Sequence, residues 1–215
     1  MQNNFFDLDQ VFELVKLGDF WGQFGGQVVQ SFPDLSNTMS AYQNTLLRLL
    51  NAPITLPTAT SEVYGRIINF SDFGHYHLFW NIPKALSVIK NRHIQLIDIP
   101  VHDLIKTVDV DNLNLEKLES PNFQPHPVIV AKFPMIPEQY ITIDGNHTVY
   151  WAHRHGYHGI KGYLMQIEDH IEAMSSDLFR TLFAIHANIS GIGFFMTTPN
   201  ATLNDIVLYP IPYEL

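Results

Sequence analysis

The residues best suited to chemistry in this 215-residue chain lie in one stretch, DGNHTVYWAHRHG, residues 144–156. It follows the β-branched run Tyr-Ile-Thr-Ile, residues 140–143. A strand is therefore expected to end at Asp144 and Gly145, and a helix to open at Asn146. A strand–glycine–helix junction gathers unbonded backbone N–H groups and the positive end of a helix at one place, which suits a phosphate. In that chemistry Gly145 permits close approach of the phosphate, and Asn146, His147 and Thr148 line the first turn. His147 donates to phosphate or moves a proton, and Asp144 orients a substrate hydroxyl or a metal ion. A structural account of the same residues is equally open at this level: an Asx turn with glycine at positive φ, followed by a satisfied histidine.

Other titratable groups offer weaker patterns. His153, His155 and His158 look like a metal cluster, but positions two apart on a helix do not share a face. His75 and His77 do share a strand face, with Asp72 nearby, and read either as a ligand pair or as exposed imidazoles. Glu62 and Arg66 read as surface or buried-pair residues. No residue is assigned as a dedicated metal ligand.

The elements that must position these groups are legible in the periodicity. Leu8, Val11, Phe12, Leu14 and Val15 predict a helix capped by Asp7 or Asp9 and stopped at Gly18. A Gly- and Phe-rich segment, residues 20–33, precedes a second amphipathic helix that starts near residues 36–38 and buries Met39, Tyr42, Leu46, Leu47, Leu49 and Leu50. That helix ends at the proline-punctuated residues 53–57. Strands are expected at residues 63–70 and 76–80, a short helix at 84–90 and a strand from residue 93. A polar helix at 109–120 is expected to bury Leu113, Leu115 and Leu118. Strands at 128–130 and 160–165 flank the motif, and a helix at 177–189 precedes an extended tail, 203–215. No internal repeat is visible, which excludes a solenoid.

The run IDIPVHDL at 97–104, PVIV at 127–130, ITIDGNHTVYWAHRHG at 141–156 and IKGYLM at 160–165 together resemble the recurring layout of the ParB/sulfiredoxin-like superfamily, over residues 92–169. The resemblance implies an α+β class, an α/β core with a small mixed sheet and flanking helices at 92–215; the low charge content and the lack of a Gly/Ser linker predict that residues 1–91 form a helical and strand-bearing N-terminal extension packed on it. It also implies a nucleotide pocket at the start of the motif helix, taking CTP, ATP or ADP with Mg²⁺, in which Gly145, Asn146, His147 and Thr148 bind and Asp144, His147 and Asp98 act, Asp98 as the general base with Asp103 as its rival. The departures are informative. Asn146 stands where sulfiredoxins carry the reactive cysteine, so sulfinic-acid reduction is excluded. Thr148 stands where the family has an arginine that grips phosphate. The free-serine kinases carry Asp-Gly-His-Thr-Arg, so His and Thr are displaced here by one residue. Arg154, Lys161 and Arg180 are the cations available to replace the missing charge.

Composition sets the outer bounds. Hydrophobic residues at 46% suit a globular core, and 12 basic against 21 acidic residues give a net charge of -9. That balance opposes broad attachment to nucleic acid, which relies on Lys and Arg. The absence of cysteine removes thiol nucleophiles, Cys-ligated zinc and disulfides. With no signal-like N-terminus and no apolar run of membrane length, a soluble cytoplasmic protein is expected. Three functions follow as expectations: a small-molecule phosphotransferase or nucleotide hydrolase, a non-catalytic nucleotide-sensing or interaction module, and a metal-dependent nuclease, which the charge disfavours.

Overall fold

A computed structural model describes residues 5–17, 20–21, 26–51, 62–70, 72–110, 113–136 and 138–211. The fold is α+β, with helices and two small sheets. The chain divides into two compact units, one built from residues 1–56, 65–79 and 174–215 and the other from 57–64 and 80–173. The long C-terminal helix thus belongs to the first unit, and the motif to the second. The stop at Gly18 and residues 53–57 lie outside the described residues, as do residues 22–25 of segment 20–33.

The first unit contains β1 (Phe6–Asp7), α1 (Asp9–Lys16), α2 (Leu35–Asn51), most of β2 (Val63–Asn69) and β3 (His75–Asn81), and α8 (Asp177–Thr197). Leu8, not an aspartate, occupies the N-cap of α1 and makes no side-chain cap. Val11, Phe12 and Val15 are buried on that helix as the spacing predicts, and Met39, Tyr42 and Leu46 are buried on α2. Leu47 departs from expectation and is half exposed, because Thr45 takes a place on the inner face. Helix α8 runs eight residues past the expected end at Ile189. Gly193 lies in the added stretch, where a Cβ would collide with the Trp21 indole, so the glycine lets a ring lie against an unbroken helix. By length and composition α8 could span a bilayer, but 78% of that window is buried inside the protein, as befits a core helix.

Two buried polar residues on α8 fix its surroundings. Asn188 donates to Tyr42 Oη at 3.1 Å and to the Tyr209 carbonyl at 3.0 Å, and its Oδ1 accepts from the Tyr209 amide at 2.6 Å. The extended tail is thereby bonded to the helix as a strand neighbour would be. His186 lies 2.7 Å from the Tyr76 hydroxyl through Nδ1 and packs on Phe70 at a centroid distance of 4.0 Å. Burial lowers its imidazole from 6.5 to about 3.

The second unit holds α3 (Ile82–Asn91), β4 (Leu96–Pro100), α4 (Val101–Leu104), α5 (Leu115–Glu119), β5 (Val128–Lys132), β6 (Tyr140–Asp144), α6 (Asn146–Arg154), β7 (Gly159–Met165) and α7 (Ile167–Glu172). Asn81 caps α3 by accepting from the Lys84 amide at 2.8 Å, with Pro83 in the first turn as its fixed φ favours. The sheet order is β4-β7-β5-β6. β7 pairs parallel with β5, and the other two pairings are antiparallel. Residues 128–131 of β5 are buried without a break, so this strand is covered on both faces. Val128 and Val130 join Ile99, Leu104, Val108 and Val149 in one core cluster. α7 packs against β5 and β7, and its His170 donates from Nε2 to the Lys132 carbonyl at 2.8 Å. Burial lowers that imidazole to about 4, although the Lys132 carbonyl and the Asp169 carboxylate oppose the shift.

The expected helix at 109–120 contracts to Leu115–Glu119, and Leu115 is 49% exposed. Five residues present too narrow a stripe to bury every leucine, and it is Leu113, ahead of the helix, that reaches the core cluster.

Val128 is the tightest point of this unit. A Cβ on Gly162 would stand 2.6 Å from Val128 Cγ2 and 2.9 Å from Ile99 Cδ1. Gly162→Ala is therefore expected to lower stability by about 1–3 kcal/mol in urea unfolding, and to cost less in a Val128→Ala background, since the two sites share one space. A second expectation concerns pH. His170 and His186 have folded pKa values below their unfolded value of 6.5, so the unfolded chain binds more protons as pH falls through that value. Each then contributes stability above pH 6.5 that is lost at up to ~1.4 kcal/mol per pH unit on acidification. His170→Gln, which keeps a donor for Lys132, should flatten the slope of stability between pH 6.5 and 4.

Candidate functional site

The motif lies where its periodicity predicts, at the β6–α6 junction. The register of β5 on β6 shifts between Ile129 and Val130, which inserts an extra residue into β6 just before Asp144. Such a bulge turns the strand end away from its partner. Gly145 follows at φ 90°, in the left-handed region, and serves as the N-cap of α6. A Cβ at Gly145 would meet Val128 Cγ1 at 2.7 Å and Val128 Cα at 3.2 Å. Glycine is thus required here twice by the fold itself, for its φ and for the approach of β5, before any ligand is considered.

The first-turn side chains are engaged in different ways. Asn146 folds back so that Nδ2 donates to the Thr142 carbonyl at 3.1 Å, while its Oδ1 is buried with no hydrogen-bond partner among the described residues. The hydroxyl of Thr142, a residue with no exposed surface, is buried and unmatched as well. His147, half-buried, accepts the Asn114 amide on Nε2 at 3.0 Å. The neutral ring must then carry its proton on Nδ1. Thr148 is 2% exposed, and its Oγ1 accepts the His126 amide at 3.3 Å. His147 and Thr148 therefore hold the 113–127 segment against α6. Gly145 contributes no side-chain cap to the first turn of α6.

The remaining sequence-selected groups are dispersed. Asp98 lies on β4, which with β6 forms the two edges of the sheet. Three strand spacings of about 4.8 Å separate those edges, on the order of 14 Å, so Asp98 does not join Asp144 and His147. Its carboxylate pairs instead with Lys161 at 2.9 Å, both largely exposed. Asp103, half-buried, is on α4, which packs against α6 and β6, and it contacts His102 at 2.9 Å. Arg154 ends α6, about 12 Å along the axis from Asn146 at 1.5 Å per residue, and Arg180 lies in the other unit, bonded to Asp177 and the Met174 carbonyl.

Outside the motif, His75 and His77 share a strand face with ring centroids 6.2 Å apart. Burial and the charge of His75 lower the His77 imidazole. No three His, Asp or Glu side chains converge among the described residues. His155 and Tyr157 stack on Trp151 at 4.4 and 5.2 Å, and Phe123 approaches the same indole at 6.1 Å. The Trp151–His155 stack has the i,i+4 spacing of one helix face, whereas the approach of Phe123 and the roles of Asn114 and His126 had no signal in sequence spacing, since each joins α6 to a distant irregular segment. Comparison with protein-family models, curated proteins and solved structures finds no match for this chain.

The contrast between the two buried threonines is testable. Thr148→Val removes the acceptor for His126 and should cost about 1 kcal/mol. Thr142→Val removes an unmatched buried hydroxyl at constant shape, so its midpoint of urea unfolding should be unchanged or higher.

Proposed function

We propose that the second unit is a non-catalytic binding module for a small phosphorylated ligand, with the phosphate at the start of α6. A nucleotide such as ATP, ADP or CTP is the class that the ParB/sulfiredoxin resemblance suggests. The observation that carries this reading is the left-handed Gly145 leading into a helix whose first-turn amides receive no side-chain cap from it. Such amides attract anions through both hydrogen bonding and the helix dipole. The unmatched Asn146 Oδ1 in the same first turn adds an acceptor suited to a hydroxyl of a polar ligand.

Binding is favoured over phosphoryl transfer by the positions of the acids. A transfer reaction needs a base and metal-holding carboxylates converging on the phosphate, whereas Asp98 is on the opposite edge strand, paired with Lys161. Asp144 is the motif's one carboxylate at the turn, so a Mg²⁺ ion arriving with a nucleotide would be held mainly by phosphate oxygens and water.

The test is titration with pyrophosphate, ATP, ADP and CTP, with and without Mg²⁺, followed by calorimetry and amide chemical shifts. The largest shifts are expected at residues 145–148. His147→Glu, whose carboxylate reaches about as far as Nε2, retains an acceptor for the Asn114 amide and places a negative charge where the dipole favours it. It should leave the fold at least as stable while weakening anion binding tenfold or more. Normal binding by that variant, or no response to any of the four ligands, would overturn the reading.

A further inference from the structure

The two edges of the four-stranded sheet differ. On β6 the central residues Ile141, Thr142 and Ile143 are fully buried, and α4 packs against the strand. On β4 the chain is open. Leu96 is 44% exposed, Ile97 40%, and the Asp98 side chain 72%, and among the described residues no strand pairs with its outer side. Natural edges are usually blunted by charge, bulges or covering segments. This one presents two adjacent apolar side chains on a strand paired with β7 without any register shift.

The hydrogen-bonding parity of β4 can be read directly. The Val101 amide donates to the His158 carbonyl at 2.9 Å, and the register pairs Pro100 with Gly159 and Ile99 with Ile160. Because antiparallel pairs alternate, residues 97, 99 and 101 bond toward β7, and residues 96, 98 and 100 point their backbone groups outward. Pro100 therefore sits where its missing N–H costs the ladder nothing. The outward groups are the N–H and C=O of Leu96 and Asp98.

We propose that β4 is the self-association edge of this protein, pairing antiparallel with β4 of a second copy about a two-fold axis through Ile97. In that register Leu96 lies opposite Asp98 of the other copy. The N–H of each then meets the C=O of the other, and symmetry repeats the pair. Ile97 faces its own symmetry mate across a non-hydrogen-bonded pair, with Cα atoms about 4.5 Å apart, and the two isoleucines cover one another. The register also matches groups that cannot bond. Pro100, which has no N–H, falls opposite Ile94, whose N–H already donates to the Ile89 carbonyl at 3.0 Å. A register centred on Asp98 would set like charges face to face, which is unfavourable. Asp98 instead faces a leucine and keeps Lys161 as its partner within its own chain. The interface is isologous, as two-fold symmetry requires, and makes one continuous sheet of the two copies.

Sedimentation velocity and light scattering on the full chain over a concentration series test this. The wild type is expected to show a reversible monomer–dimer equilibrium. Leu96→Pro removes an outward N–H at the first strand position, where proline is tolerated, and should raise the dimer dissociation constant at least tenfold with unchanged circular dichroism. Ile97→Lys and Ile97→Glu should each be monomeric alone and form dimers when mixed, because only a register centred on that residue brings the opposite charges together. A wild type that remains monomeric throughout, a dimer indifferent to these substitutions, or a mixture that fails to associate would overturn the proposal.

Discussion

The second unit depends on the space around one side chain. Val128, with no exposed surface, is contacted so closely by Gly145 on one side and Gly162 on the other that a methyl group at either position would overlap it. β5 can then lie between the β6–α6 turn and β7 with its residues buried without interruption. The parallel β5–β7 pairing, the bulge before Asp144 and the entry angle of α6 all meet at this valine. Close packing makes such a point stiff, because interiors have little free volume to absorb a displaced methyl.

That constraint bears on how the motif is understood. A glycine between a strand and a helix is commonly read as room for a phosphate, and here the room is already occupied by Val128. What the junction retains for a ligand is its backbone: amides at the head of α6, approached by a left-handed residue with no side chain of its own. His147 and Thr148 look inward to the 113–127 segment through their bonds to Asn114 and His126, so they shape the turn by anchoring its flank. In the proposed site recognition would run through the main chain, without the arginine or the cysteine that the resembling families place there.

The first unit solves a different problem, that of burying polar side chains in a long apolar helix. Asn188 is matched by Tyr42 and by both backbone groups of Tyr209, and His186 is matched by the Tyr76 hydroxyl. Each buried polar group that finds its partner specifies one arrangement of the chain, since any other would strand it away from water. The low imidazole pKa values of His186 and of His170 in the second unit are the electrostatic counterpart of that burial.

Local periodicity determined the strands around the motif, the helix from Asn146 and the positive φ expected of Gly145, because apolar alternation and glycine's conformational freedom act within a few residues. The same local rules misplaced the end of α8 and the depth of Leu47 and Leu115. A glycine's purpose or a leucine's burial is decided by what lies opposite, such as Trp21 against Gly193. Only the tertiary structure decided which polar residues meet. Asp98 found Lys161 and not His147, and His147 found Asn114, 33 residues away, as Tyr76 found His186 at a separation of 110. Such pairs are set by strand order and by the packing about Val128 and along α8, and no spacing rule along the chain encodes them.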